Sequence, residues 1–256
     1  NKRDSMLLTR SKNSRMKILV TGHEGFIGKV LFDRLWHKGH ELIGLDIRKG
    51  DDITKCSLEF TDLDLVIHLA GKSGVRESLN NPGDYWTTNV EGTRRIFERF
   101  KNLRILYASS SSAYEPTLNP YAASKFIMEQ IAPVNSLGMR FHTVYSDVPR
   151  KGMFLDKLLN NKLEYVTNHS RDFIHIEDLC DAIEILIDSH LNGILDIGTG
   201  NSIKVQTLAP GLPIRLNTTH ERLHTQANIQ KLTNLGFKPK YNIEKFLTNK
   251  TLGTII

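Results

Sequence analysis

Tyr121 and Lys125 stand four residues apart in Pro120-Tyr-Ala-Ala-Ser-Lys125, a segment of helix formers, so one helix face carries both. An ammonium beside a phenol favours the phenolate and lowers a pKa whose ordinary value is near ~10. A tyrosine tuned in this way serves as a general base near neutral pH. Just upstream, the apolar run 103–108 ends in Ser109-Ser110-Ser111-Ser112. Serines after a strand commonly make turns and caps. Between a strand and a Tyr/Lys helix, one such hydroxyl can also bridge a substrate oxygen and the phenol.

A second constellation lies near the start. Gly22, Gly25 and Gly28 follow the strand-like run 17–21 and lead through Phe26 and Ile27 into the helical pattern Val30, Leu31, Leu35, Trp36. Strand, glycine turn and helix start make a dinucleotide pyrophosphate site. One glycine allows the tight turn, one lets the backbone approach phosphate, and one lets helix pack on strand. Free N–H groups at the helix start face the anion. The spacing is Gly-x-x-Gly-x-x-Gly rather than the Gly-x-Gly-x-x-Gly of many dehydrogenases. The next apolar run, 41–45, ends at Asp46, where a carboxylate accepts from the adenosine ribose hydroxyls and repels a 2′-phosphate. That favours NAD. Arg48 and Lys49 follow at once and suit a phosphate, which leaves NADP open. Asp52 and Ile53 are placed to cover the adenine. An oxidised nicotinamide would add a second positive charge near Tyr121.

These residues need a scaffold, and the chain alternates accordingly. Strand-like runs occur at 17–21, 41–46, 63–70, 103–108, 139–144 and 194–197. Helical patterns lie at 26–38, 82–100, 120–131 and 176–189. The alternation predicts an α/β fold, a Rossmann-type doubly wound parallel sheet covered on both faces. His68 sits in an otherwise apolar strand and reads as a packed residue. Residues 16–145 are expected to form the nucleotide-binding domain. Past Val144 the pattern turns irregular, with Pro149, Gly152, Pro210, Gly211, Pro213 and Pro239. Residues 146–256 are expected to form a small C-terminal substrate lobe, with segments at about 172–200 returning to the core.

A chain of 256 residues can bury one good core and a small second lobe. The net charge of +6 is largely local: Lys2, Arg3, Arg10, Lys12 and Arg15 stand against Asp4 alone within residues 1–15. That arm reads as a tag or disordered extension. The rest is near neutral, so no nucleic-acid partner is expected. No apolar run is long enough to span a membrane. Cys56 and Cys180 show neither metal spacing nor a disulfide framework, so no metal and a cytoplasmic location are expected.

Further motifs follow one another in order. They are Val20-Thr-Gly-His-Glu-Gly-Phe-Ile-Gly28, His68-Leu-Ala-Gly71, Asn89-Val-Glu-Gly-Thr93 and Tyr107-Ala-Ser-Ser-Ser-Ser-Ala-Tyr114. Next come Pro120-Tyr-Ala-Ala-Ser-Lys125, Arg171-Asp-Phe-Ile-His-Ile-Glu-Asp178, Asp196-Ile-Gly-Thr-Gly200 and Leu235-Gly-Phe-Lys-Pro239. From residue 16 to 247 the chain resembles the extended short-chain dehydrogenase/reductase family, in its NAD-dependent sugar-nucleotide epimerase/dehydratase branch. The resemblance implies NAD as cofactor. It places Gly22, Gly25, Phe26, Ile27, Gly28, Asp46, Asp52, Ile53, Leu69, Ala70, Gly71, Asn89, Ser109, Tyr121 and Lys125 around it. Counting back from Tyr114, the catalytic hydroxyl falls on Ser110, beside Tyr121 as base and Lys125 on the nicotinamide ribose. Substrate contacts fall on Arg76, Ser110, Ser111, Thr143, Arg171 and Arg222, with Glu221 beside the last. For Arg171 a salt bridge to Asp172 or Asp178 is the other reading.

Dehydrating and decarboxylating branches carry an acidic residue just after the catalytic serine. Here Ser111 and Ser112 follow, which implies an epimerase. Ser73-Gly-Val-Arg-Glu-Ser-Leu-Asn-Asn-Pro82 and Gly138-Met-Arg-Phe-His-Thr-Val-Tyr145 look most like UDP-glucuronate 4-epimerases and their UDP-hexose relatives. The implied activity is NAD-dependent 4-epimerisation of a UDP-hexose or UDP-uronate through a transient 4-keto sugar. Two alternatives stand beside it: an NADP-dependent 4-keto reductase resembling GDP-fucose synthase, and a non-catalytic nucleotide binder. A homodimer is implied, built on helices 82–100 and 120–131 with Phe97, Phe100, Phe126 and Ile127 as its apolar surface. The chain departs from the family at Tyr145-Ser146-Asp147, in its short stretch from Tyr114 to Tyr121, and in its compact C-terminal lobe.

Overall fold

A run with no polar face belongs between two covered surfaces. Ile18, Leu19 and Val20 of β1 (Lys17–Thr21) are fully buried there. The computed structural model describes residues 15–216 and 220–252. Strand β1 pairs in parallel with β2 (Glu41–Leu45) on one side and β3 (Leu65–His68) on the other. Strands β4 (Arg104–Ser110) and β5 (Ser136–Phe141) extend the sheet. Strands β6 (Thr143–Tyr145), β7 (Val166–Thr167) and β8 (Ser170–His175) leave it, and β9 (Gly193–Ile197) returns to its edge. The order is β2-β1-β3-β4-β5-β9, all parallel. This is the doubly wound α/β sheet of the Rossmann type.

Helices cover both faces of the sheet. Through residue 187 the α-helices are α1 (Phe26–His37), α2 (Val75–Asn80), α3 (Pro82–Tyr85), α4 (Thr93–Phe100), α5 (Pro120–Gln130), α6 (Phe154–Leu159), which packs in the lobe, and α7 (Ile176–Ile187). Leu31 and Leu35 of α1 and the apolar side of α7 close one face over Val20, Ile67, Leu106 and Met139. Ile96, Phe97 and Phe100 of α4 and Met128 of α5 close the other over Leu19, Val66, Ile105 and Tyr107. Phe97 and Phe100 are only 3% and 2% exposed, with Phe97 edge-on to Tyr107. They belong to the chain's own core, because α4 turns its apolar side to the sheet. They are not available to a partner subunit, contrary to the expectation.

Two predicted elements are broken. The helical pattern 82–100 contains a π-helical turn, Trp86–Gly92, between α3 and α4. The widened turn lets Asn89, Val90, Gly92 and Thr93 all face inward. The run 139–144 divides at His142, whose N–H donates to Ile197 O. Beyond it, β6 crosses to pair with β8. With β10 (Ser202–Lys204) these form a three-stranded sheet, and β7 with β11 (Ile214–Arg215) forms a two-stranded one. A separate core of Tyr145, Leu155, Val166, Phe173, Val205, Leu208 and Ile243 fills this region. The tag-or-extension reading of residues 1–15 lies, Arg15 apart, outside the described residues.

The glycine turn is held by close backbone approach. A Cβ on Gly28 would lie 2.0 Å from Gly22 O, and one on Gly22 (φ +75°) 2.6 Å from Ala70 N. Gly39 also has positive φ, but nothing lies within 4 Å of its Cβ position. Gly28→Ala therefore carries at least the ~1–3 kcal/mol of overpacking and opens the turn, whereas Gly39→Ala carries only backbone strain of about 1–2 kcal/mol. Urea unfolding of both variants tests this. Equal losses, or a larger loss at Gly39, would overturn the contact account.

Candidate active site

The sheet order reverses between β1 and β3, which opens a crevice at the carboxyl ends of the strands. Gly22 lies on one wall and Leu69, Ala70 and Gly71 on the other. Asn89 ties the second wall to α5. It accepts from Lys72 N at 2.7 Å and donates to Lys72 O and Ser124 Oγ, both at 3.0 Å. Gly25 caps α1 with no side-chain acceptor, so the first-turn N–H groups have no side-chain cap. Phe26 and Ile27 in that turn pack against the core. A backbone-lined cradle too tight for a Cβ, ending in an open helix start, fits a pyrophosphate.

Asp46 stands at the end of β2, 5% exposed. Its carboxylate accepts from Glu24 N and Arg48 N, each at 2.9 Å. Arg48 turns its guanidinium onto Glu24 O. Asp52 accepts from Thr54 N and Thr54 Oγ1 at 2.9 and 2.8 Å. The Ile53 side chain is buried against Gly92, so its neighbour is the core.

Helix α5 starts cleanly. Asn119 caps it, accepting from Ala122 N at 2.8 Å, and Pro120 takes the first helical position. Tyr121, Lys125 and Glu129 then share the face turned to β4. Lys125 Nζ donates to Ala108 O at 2.7 Å. Ser109 Oγ donates to Glu129 Oε1 at 2.5 Å, and Arg140 donates to both Glu129 oxygens at 2.8 and 2.6 Å. Neighbouring strand residues face opposite sides. The hydroxyl of Ser109 is thus committed to Glu129, while Ser110 has the cleft. Ser110 Oγ accepts from Ser112 N at 3.1 Å and lies close enough to the Tyr121 phenol to act on its titration.

Burial pushes the Tyr121 phenol up, with the Ser110 hydrogen bond and the Arg150 guanidinium opposing it. Lys125 does not pull the phenol below its ordinary value, as the spacing suggested. Its ammonium is bound to Ala108 O, and burial lowers it to about 8 against the raising charge of Glu129. His68 is a packed strand residue. It bonds Thr21 Oγ1 at 2.6 Å and Thr93 Oγ1 at 2.9 Å, and burial, aided by the Lys125 charge, lowers it to about 3.

On the lobe side, Arg171 of β8 pairs with Glu221 at 3.2 Å. Asp172 instead holds the N–H groups of Thr199, Gly200 and Ala227, and Asp178 those of Lys240 and Tyr241. Arg76 is exposed at the start of α2, and its charge reaches His169 of the lobe. Thr143 opens β6, partly buried. Arg222 is tied to the serine turn. It donates to Ser111 O at 2.9 Å and Glu115 Oε1 at 3.0 Å, and lies 4.9 Å from the Tyr114 ring centre. Glu115 supplies it with a charge and the ring with a face.

Four residues join the site that the sequence did not single out. Glu129 and Arg140 form the buried pair beneath Lys125. Tyr114 stacks under Arg140 at 4.0 Å and donates to Asp196 at 3.1 Å. Arg150 donates to Ser73 Oγ at 2.8 Å, and its charge reaches Tyr121. Glu129 was findable, since it continues the four-residue spacing of Tyr121 and Lys125. Arg150 lies in an aperiodic segment that gives no signal.

Comparison with known proteins agrees with this geometry. The model of the NAD-dependent epimerase/dehydratase family matches residues 18–198. A putative UDP-glucose 4-epimerase from Methanocaldococcus jannaschii is 28% identical, with 89% of this chain and 95% of the relative covered. UDP-glucuronate 4-epimerase 4 of Arabidopsis thaliana is also 28% identical, over 73% of this chain and 57% of its own length. A UDP-glucuronic acid 4-epimerase from Bacillus cereus, solved with UDP-glucuronic acid and NAD, superposes with a TM-score of 0.77 at 23% identity, covering 91% of this chain and 97% of that one. The matched family segment contains both the glycine cradle and the Ser110–Tyr121–Lys125 cluster; the chain belongs to the NAD-dependent epimerase/dehydratase family, and its cofactor is NAD.

Proposed function

We propose that this chain interconverts the C4 epimers of a UDP-hexose or UDP-uronate. The observation that carries the reading is the assembled set: a Tyr121 phenol beside Ser110, on the helix face that holds Lys125, at the carboxyl ends of a parallel sheet. Tyr121 takes the proton of the sugar C4 hydroxyl. Ser110 donates to the same oxygen as it becomes a carbonyl, a fixed donor aimed at developing charge. NAD, when bound, supplies the hydride acceptor and then its return, together with a positive ring charge. Lys125 offsets the phenolate and holds the nicotinamide ribose. Arg171 retains the diphosphate, a bidentate task that suits a guanidinium, while the 4-keto sugar turns over. Arg150 puts a cation at the sugar end beside Tyr121, which suits a uronate carboxylate. No carboxylate follows Ser110 in the turn Ser111–Tyr114, so nothing there performs the acid–base step of a dehydration.

Tyr121→Phe should lower turnover by roughly 10²–10⁴, the usual weight of general acid–base catalysis, with NAD binding little changed. Ser110→Ala should lose a comparable amount. A panel of UDP- and GDP-sugars read by chromatography supplies the substrate. Full turnover by Tyr121→Phe would refute the mechanism, and damage from Ser111→Ala instead would move the catalytic serine by one.

The pH profile has a definite sign. Lys125 carries its proton below about 8 and loses it above. Activity that needs the ammonium should therefore fall on the alkaline side. Glu129 holds the proton on Lys125, so Glu129→Gln should move the alkaline limb to lower pH. An unmoved limb in a folded variant would show that Lys125 does not set it.

We also propose a homodimer. With Phe97 and Phe100 inside the core, the apolar surface left on these helices is Trp86, half exposed, with the partly exposed Phe126 and Ile127 of α5. Light scattering across micromolar concentrations should show twice the chain mass; monomer throughout would rule this out.

A further inference from the structure

We propose that Glu24 is a second acidic determinant of cofactor choice, acting beside Asp46 to keep a ribose 2′-phosphate from the cations around it. The inference rests on the reading that Asp46 meets the adenosine ribose. Glu24 lies inside the pyrophosphate turn, between Gly22 and Gly25. Its N–H donates to Asp46 Oδ2 at 2.9 Å, so the two acidic residues are fixed side by side. The Glu24 carboxylate lies 3.2 Å from Lys29 Nζ and 3.5 Å from Lys49 Nζ, with His23 Nε2 at 3.8 Å. Its carbonyl takes the guanidinium of Arg48. Asp51 is the other acidic side chain at hand, and it reaches the Asp46 N–H at 3.5 Å.

Three cations beside a ribose-facing acceptor are what a 2′-phosphate would need. An arginine after the second strand is the usual partner of that group. In this chain Arg48, Lys49 and Lys29 converge instead on one residue of the turn. The Glu24 side chain is only 23% exposed, while those of Lys29 and Lys49 are 63% and 60% exposed. The carboxylate is thus the inner member of the cluster and the ammonium groups its outer ones. The Lys29 hydrogen bond and the Lys49 charge hold the Glu24 carboxyl below its usual range, so it is charged throughout the neutral region. A phosphate dianion would have to displace this carboxylate from its cations while lying beside a second carboxylate, Asp46. Neutral ribose hydroxyls meet no such opposition. Arg48, which leaves NADP open on sequence alone, is accounted for by the Glu24 carbonyl. Salt bridges this exposed add little to folding. The substitution is therefore expected to leave the fold intact.

Dissociation constants for NAD and NADP, measured by titration calorimetry on the full chain, test the proposal without any need for a sugar substrate. The wild-type chain should prefer NAD. Glu24→Gln should tighten NADP binding by about ten-fold or more and leave NAD binding within about three-fold. The gain should shrink at high salt, as an interaction between exposed charges does. Adding Lys49→Ala to Glu24→Gln should remove most of it. An unchanged NADP constant in a Glu24→Gln variant that still binds NAD would overturn the proposal. Loss of both cofactors would overturn it too, since the carboxylate would then be shaping the turn. Wild-type binding of NADP as tight as that of NAD would bring down the Asp46 reading, and this inference with it.

Discussion

The Lys125 ammonium on the Ala108 carbonyl fixes the rest of the site. A buried cation is costly unless it is hydrogen-bonded and matched by charge. Here the carbonyl supplies the bond and Glu129, one turn further along α5, the charge. Glu129 is in turn held by Arg140 of β5 and by Ser109 of β4. Removing one member of such a buried pair typically costs about 3–5 kcal/mol, because the other is left uncompensated. Two strands and one helix are thereby locked in a single register. Tyr121, one turn nearer the cap, then arrives at Ser110 without adjustment of its own. The placement of Tyr121 beside Ser110 follows from ion pairing deeper down.

The same arrangement ties the serine loop to the lobe. The short connection to α5 folds as two tight turns, Ser111–Tyr114 and Pro116–Leu118, and ends at the Asn119 cap. Asn119 uses its amide nitrogen on His220 O at 2.8 Å, while Arg222 holds Ser111 O and Glu115. Tyr114 packs against both Arg140 and Arg222, and its hydroxyl shares Asp196 with the N–H of Asn228. The strand-like strap 220–228 is thus fastened directly to the turn that presents Ser110. A shift of the strap cannot leave the serine where it was. The brevity of the connector, an anomaly in the sequence, makes sense as the shape that lets both asparagine and arginine reach the strap.

What the sequence reveals depends on the range of the interaction. The alternation of strands and helices is local, and the parallel sheet could be read from it. So could the Tyr121–Lys125 pair, set by helical spacing, and the glycine turn, set by chain geometry. The direction in which Phe97 and Phe100 point was not legible. Periodicity records that a face is apolar and is silent on whether sheet or subunit covers it. The pairing of Arg222 with Glu115 was not legible either, because the two are 107 residues apart. The break at His142 and the π turn at Trp86–Gly92 arise from tertiary packing that no local pattern encodes. The upward push on Tyr121 depends on burial and on where Lys125 points its ammonium, and both are properties of the folded cleft.

Charge satisfaction divides the partly buried arginines into two groups. Arg34 meets Glu177, Asp181 and Glu184, and Arg140 meets Glu129; both guanidiniums are held above their ordinary values by these partners. Arg171 and Arg104 lie below theirs, because burial outweighs the charges around them. Arg104 opens β4, at the end of the sheet away from the cleft, and bonds carbonyls there. Arg171 is in the lobe, and its pairing with Glu221 does not make up for its burial. A cation that has given up water without full compensation gains the most from an arriving anion. Arg48 is the opposite case, since the neighbouring glycine turn already supplies its acceptor, Glu24 O. One end of the cleft therefore has its charges matched from within. The other has a largely buried cation that its partner does not fully compensate, an asymmetry in keeping with the proposed placing of adenosine and diphosphate.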